Sequence, residues 1–332
     1  MGIPKPVGDL QAVRKGDSVT LTWSAPADTT DGELIRKPGK MQLSRTISGS
    51  AAAADRQTVA DVPLPPALKE QQSPAPSAKD SLASILEQTS AVGDFAVYTV
   101  LAQTASGKSA GPSNQVAVPL VPTPRAPQRV QATAVPLGIS ISWDQAWPPQ
   151  NRSRLNTQYA YRIMRRLEGS NTGTRVAQVM IGNEAVLFVD NGIEWEKRYE
   201  YWITPVTLWQ QGDAKKGEIE GDDSPVVPVF ADDVFPPAAP AALQAVFSET
   251  EQPVIDLTWT PNTEPDLAGY NVYRHVAEEQ PVKINSDLVK TSAFQDKRVQ
   301  RGTKYFYSIS AVDLRGNESG KSQETSEVVP KE

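Results

Sequence analysis

Cysteine is absent from the 332 residues, and histidine occurs once, at His275. The first absence removes thiol nucleophiles, disulfides and Cys-based zinc sites. The second leaves a Ser-His-Asp triad a single residue to use. His275 sits just past a strand-closing Arg274, where an inert solvent-facing residue is expected. No apolar run approaches the ~18 residues that span a bilayer. Cations are too few for a nucleic-acid partner: 33 Lys and Arg stand against 39 Asp and Glu, a net charge of −6. A phosphate backbone demands clustered positive charge. No signal peptide is legible at Met1-Gly2-Ile3-Pro4-Lys5-Pro6, which reads as the start of a mature or trimmed sequence.

What is present is a repeat. Val19-Thr20-Leu21-Thr22-Trp23, Ile139-Ser140-Ile141-Ser142-Trp143 and Ile255-Asp256-Leu257-Thr258-Trp259 alternate apolar with polar and end on tryptophan. A period of two predicts half-buried strands with Leu21 and Trp23 inward. The tryptophans lie 120 and 116 residues apart, about one sandwich domain plus a short linker. After each comes a second strand: Met41-Gln42-Leu43-Ser44-Arg45, Tyr161-Arg162-Ile163-Met164-Arg165 and Tyr270-Asn271-Val272-Tyr273-Arg274. A third alternates Ala96, Tyr98, Val100, Ala102 in the first copy, Tyr199, Tyr201, Ile203, Pro205 in the second, and Tyr305, Tyr307, Ile309, Ala311 in the third.

A strand-B Trp, then Tyr-x-Val-Tyr-Arg, then Gly-Thr-x-Tyr-x-Tyr-x-Ile-x-Ala resembles the fibronectin type III domain, most fully in the third copy, where Pro265-Asp266-Leu267-Ala268-Gly269 precedes strand C. The resemblance implies an all-β fold of three tandem immunoglobulin-like β-sandwiches. It also implies tyrosine corners at Tyr199 and Tyr305, whose hydroxyls bond nearby backbone; Ala96 departs from that pattern, so the first copy is held otherwise. The expected domains are residues 1–121, 122–232 and 233–332. The segment from Pro6 to Gly32 resembles predicted bacterial surface lipoproteins of unassigned function, which implies export and membrane attachment through a lipid anchor upstream of Met1.

The junctions 118–124 and 235–240 are short and proline-rich, so semi-rigid connectors are expected. The first domain carries an insertion over 48–94, read as a mobile loop with a partly helical portion. Ser77-Ala78-Lys79-Asp80 has the form of a capping box, and Leu82, Ile85 and Leu86 follow at helical spacing, so a short helix is expected over 80–88. That helix either packs on its own domain or docks a partner.

No cofactor and no metal site is expected. Gly107-Lys108-Ser109 and Gly320-Lys321-Ser322 lack the earlier glycine of a phosphate loop and read as hairpin turns. Glu218, Glu220, Asp222 and Asp223 lack EF-hand spacing and read as a solvated loop. The candidate partner-binding residues are Trp147, Arg152 and Arg154 in the second domain's B–C loop, and Trp209 and Gln210 in its F–G loop. These loops share one pole of a sandwich, and Trp and Arg are the types enriched in hot spots. Alternatively, the two tryptophans cap their own core or pack on a neighbouring domain. Three functions follow: a non-catalytic extracytoplasmic structural or interaction protein, whose partner is a protein or a cell-envelope glycan; an accessory carbohydrate-binding protein that uses those tryptophans; and, as a remote alternative, a hydrolase with an unrecognised site.

Overall fold

The computed structural model describes residues 2–48, 56–67, 75–88, 93–147, 150–182, 187–249 and 251–332. Apart from one helical turn, the elements are strands. The chain divides into two compact units. The first holds residues 1–133, 137–193 and 197–230; the second holds 134–136, 194–196 and 231–332.

The first copy comprises β1 (Gln11–Lys15), β2 (Ser18–Thr22), β3 (Gly39–Ser48), β4 (Gln57–Leu64), β5 (Ser77–Ser81), α1 (Ala83–Leu86), β6 (Phe95–Thr104) and β7 (Val116–Pro119). One sheet is β1-β2-β5 and the other β4-β3-β6-β7. Their inner faces bury Leu21, Trp23, Met41, Leu43, Tyr98 and Val100 as the alternation predicts. Each large apolar side chain so buried contributes roughly 1.5–3 kcal/mol. The Trp23 indole N–H points at the Met41 sulfur, 3.2 Å away.

The second copy comprises β8 (Gln131–Val135), β9 (Gly138–Ser142), β10 (Asn156–Leu167), β11 (Thr174–Met180), β12 (Leu187–Asp190), β13 (Arg198–Gln211), β14 (Lys215–Glu220) and β15 (Val227–Phe230). β12-β9-β8 faces β11-β10-β13, whose F strand pairs with β15 at one end and β14 at the other. Gly138 has φ +134°, and a Cβ there would lie 2.1 Å from the Asp190 carbonyl oxygen, so only glycine starts β9. Trp143 meets Tyr161 edge-on at 5.8 Å.

The first two sandwiches share the first unit. β14 joins β1 in parallel, Lys15 opposite Glu220, so one sheet runs β11-β10-β13-β14-β1-β2-β5. Arg14 fastens the junction: its guanidinium donates to the carbonyls of Gly16, Pro119 and Val121 at 2.7, 2.5 and 2.8 Å. Burial brings the pKa of Arg14 down to about 10.

The third copy, in the second unit, comprises β16 (Ala241–Glu249), β17 (Pro253–Thr260), β18 (Leu267–Val276), β19 (Val282–Lys283), β20 (Ala293–Asp296), β21 (Lys304–Asp313) and β22 (Thr325–Val328). β16-β17-β20 packs on β19-β18-β21-β22 around Leu257, Trp259, Val272, Tyr307 and Ile309. The Tyr305 hydroxyl accepts the Gln300 N–H at 3.0 Å, the backbone bond expected of a tyrosine corner.

The partly helical insertion is corrected. Ser77–Ser81 is strand β5, paired antiparallel with β2 from Ser18↔Ser81 to Thr22↔Ser77. Among the described residues, only the single turn α1 is helical, and its N-cap Leu82 makes no side-chain capping bond. The physical reason is long-range. A three-strand sheet needs a partner for β2, and the ladder outweighs a local capping signal. Leu82 and Ile85 are buried in their own domain's core rather than offered to a partner. Residues 49–55, 68–74 and 89–92 of the expected insertion lie outside the described residues.

Candidate functional site

The pole of the second sandwich is built from the B–C loop and from a hairpin, not a loop, between F and G. β13 and β14 pair from Val206↔Glu220 to Gln211↔Lys215. Trp209 therefore lies on a strand, in phase with the inward Tyr199, Tyr201 and Ile203. Its ring meets Phe95 of the first sandwich edge-on at 5.7 Å, over a small core of Val121, Leu155 and Ile219. Gly217 opposes it, and a Cβ there would approach the indole to 2.9 Å, so glycine makes room for the ring. Arg154 also reaches the first sandwich: its guanidinium pairs with the buried Asp94 at 2.9 Å, and its backbone N–H donates to the same carboxylate. Trp209 and Arg154 thus come together at the junction between the sandwiches. Trp147 stays in the B–C loop with 65% of its surface exposed. Arg152 is half-buried in that loop, and Gln210 is exposed. Pro148 and Pro149 lie outside the described residues.

Gln210 belongs to the other face of the sheet. There the register aligns Asn156, Gln210 and Lys216 in one row and Gln158, Leu208 and Glu218 in the next. These rows line a groove of about 760 Å³. Arg162 stands beyond them, its guanidinium donating to Glu218, Glu220 and Gln178 at 2.6, 2.9 and 3.0 Å. Two of the acidic residues expected in a solvated loop are thus on a strand and paired. A second cavity, about 450 Å³, lies in the first sandwich between Ile35, Arg36, Pro38, Leu64 and Ala105.

Each sandwich also holds a buried polar triad. A strand-C Arg and a strand-F Tyr converge on one carboxylate: Arg45 and Tyr98 on Asp80 at 2.5 and 2.7 Å, Arg165 and Tyr201 on Asp190 at 2.8 and 2.8 Å, Arg274 and Tyr307 on Asp296 at 2.8 and 2.9 Å. Burial, reinforced by the carboxylate, pushes all three tyrosine hydroxyls well above the ordinary phenol range. The arginine and tyrosine of each triad stand at repeated positions in the sequence. The aspartate sits at the end of the weak strand E, where no apolar pattern marks it.

The remaining candidates for chemistry have structural partners. His275 stacks on Phe306 with ring centroids 4.9 Å apart, and its Nε2 lies 2.7 Å from Glu324. Gly107 closes a turn by donating its N–H to Thr104. Lys321 lies over the Tyr273 ring at 4.2 Å. Among the described residues, Asp233, Asp266 and Asp313 form the one trio whose oxygens gather within 4.8 Å and have the geometry to share a metal ion. Asp313 is already engaged by the backbone N–H groups of Arg315 and Asn317. Burial, with the nearby Asp313 and Asp266 charges, raises the pKa of Asp233.

No protein-family profile matches the chain. An amylopullulanase of Thermoanaerobacterium thermosulfurigenes is 37% identical over 99 residues, 30% of this chain and 5% of that protein. Exoglucanase B of Cellulomonas fimi is 27% identical over 238 residues, 68% of this chain and 19% of that protein. The chain spans less than a fifth of the length of either of these curated relatives. Among solved structures, the chicken CNTN1 FN1–FN3 domains are 16% identical, with 99% of both chains covered and a TM-score of 0.27. An Fn3-like protein from Clostridium thermocellum is 31% identical over 30% of this chain and 98% of that one, with a TM-score of 0.25.

Proposed function

We propose that this chain is a non-catalytic interaction module built of fibronectin type III-type sandwiches, and that the B–C pole of the second sandwich contacts its partner. The observation that carries the reading is Trp147, an aromatic anchor left two-thirds exposed, with Arg152 in the same loop. A large aromatic beside an arginine is the composition of a binding hot spot. Trp209 and Arg154 belong to this reading indirectly, by fixing the loop to the first sandwich.

The work is done outside the cytoplasm. The likeness to an amylopullulanase and an exoglucanase supports this, because polymeric substrates too large to cross a membrane are met outside it. The same likeness favours a second reading, an accessory module that holds a carbohydrate for a catalytic partner. Fold alone does not choose between them, since sandwiches host many functions.

The test is retention of a cell-envelope fraction on the immobilised chain. The wild type retains a component that Trp147→Ala/Arg152→Ala releases at least tenfold more readily, at an unchanged melting temperature. Equal retention by the variant overturns the assignment of the pole.

A further inference from the structure

The outer face of the second sandwich has a chemistry that the interaction reading does not use. Asn156, Gln158 and Gln210 point from adjacent strands into the groove, and none of their side-chain amides is engaged by another described residue. Each offers two N–H donors and one carbonyl acceptor. Leu208 forms a half-buried apolar floor between them. Glu218 is paired with Arg162, so Lys216 is the one charge in the lining without an ion-pair partner among the described residues.

The geometry points to a binding site in this groove for a neutral oligosaccharide. This rests on the carbohydrate-associated reading above and names its site. Two observations select the ligand. A near-balanced lining gives little attraction to a strongly charged molecule, whereas unengaged amides match hydroxyls that both donate and accept. The apolar floor suits the C–H face of a sugar ring. The groove is also preformed. Its amides stand on paired strands rather than loops, and Arg162, its side chain only 9% exposed, is held by three acceptors beyond the Leu208 row. Its volume, about 760 Å³, falls in the ~300–1,000 Å³ range of small-ligand sites.

The experiment is calorimetric titration of the full chain with maltohexaose and, separately, with cellohexaose. The wild type binds at least one of them saturably. Gln158→Leu/Gln210→Leu weakens that binding at least tenfold at an unchanged melting temperature. Gln158→Glu/Gln210→Glu, which keeps the surface polar, does the same, and Trp147→Ala leaves the affinity within twofold. Absence of binding to both oligosaccharides overturns the proposal, as does equal affinity in the two glutamine variants. If Trp147→Ala abolishes binding while the glutamine variants retain it, the glycan sits at the pole; the groove is then excluded and the interaction reading stands. Retention of the envelope component without any oligosaccharide binding excludes the groove alone.

Discussion

At the scale of single residues, the three Arg–Asp–Tyr triads explain why polar side chains are tolerated inside each sandwich. A buried carboxylate is costly unless it is paired and hydrogen-bonded. Asp296, 2% exposed, receives both the Tyr307 hydroxyl and the Arg274 guanidinium. Tyr307→Phe removes one donor and leaves the charge under-satisfied, so the third sandwich is expected to lose about 1–3 kcal/mol in urea unfolding. The pH dependence follows from the direction of the tyrosine shifts. Tyr98, Tyr201 and Tyr307 hold their protons more tightly folded than unfolded. The folded state therefore binds more protons above about pH 10, the ordinary phenol value, and stability is retained below that pH and lost as pH rises beyond it. Phenolate absorbance from these three residues is expected to rise together with unfolding rather than before it. Asp233 is shifted upward as well. Its raised pKa reflects burial and the charges of Asp313 and Asp266, so Asp233→Asn is expected to raise the melting temperature of the third sandwich by about 4–8 °C, the shift that ~1 kcal/mol produces in a domain of this size. A lower melting temperature contradicts that account.

At the scale of elements, the segment 77–86 shows how far local signals reach. Ser77, Asp80, Leu82 and Ile85 satisfy a helix-start pattern, yet the chain pairs with β2 until Ser81 and turns helical only at Ala83. Asp80 has work elsewhere: it is the carboxylate of the first triad and faces Arg45, not a helix N-terminus. Asp80→Ala leaves the Arg45 guanidinium buried without its charge partner and is expected to cost about 3–5 kcal/mol in the first unit; a cost below 1 kcal/mol shows that Arg45 finds another acceptor. The strands with strong alternation, β2, β3, β6, β10, β13, β18 and β21, were legible residue by residue, because the middle of one face of each is buried and the period is unambiguous. β4, β5 and β14 were not, because their polar residues make cross-strand and ion-pair contacts that leave no apolar period.

At the scale of the molecule, the first two sandwiches are fastened at several points. β1 continues the sheet of β14, Arg14 clasps three carbonyls, Lys15 pairs with Asp223 at 2.5 Å, Arg154 pairs with Asp94, and Phe95 receives Trp209. They are expected to melt as one calorimetric transition. Trp209→Ala removes the largest side chain of that contact; a fully buried Trp costs about 3–5 kcal/mol to truncate, and the partly buried Trp209 is expected to cost less than that. The variant is expected to split the transition in two. A single unshifted peak shows that the contact contributes little.

The sequence by itself determined three sandwiches, their order, the inward faces of the strong strands, the tryptophan in each core and the chemistries excluded by missing cysteine and scarce histidine. Those follow from composition and period, which are local properties. Only the tertiary structure decided which polar residues have partners. It set Asp80, Asp190 and Asp296 beneath their arginines, turned Trp209 from a loop candidate into a junction residue, and gathered Asn156, Gln158 and Gln210 on one face. Partners 11 to 114 residues apart in sequence meet across the two sheets and between the sandwiches, and that packing is fixed over the whole domain rather than by any short stretch of chain.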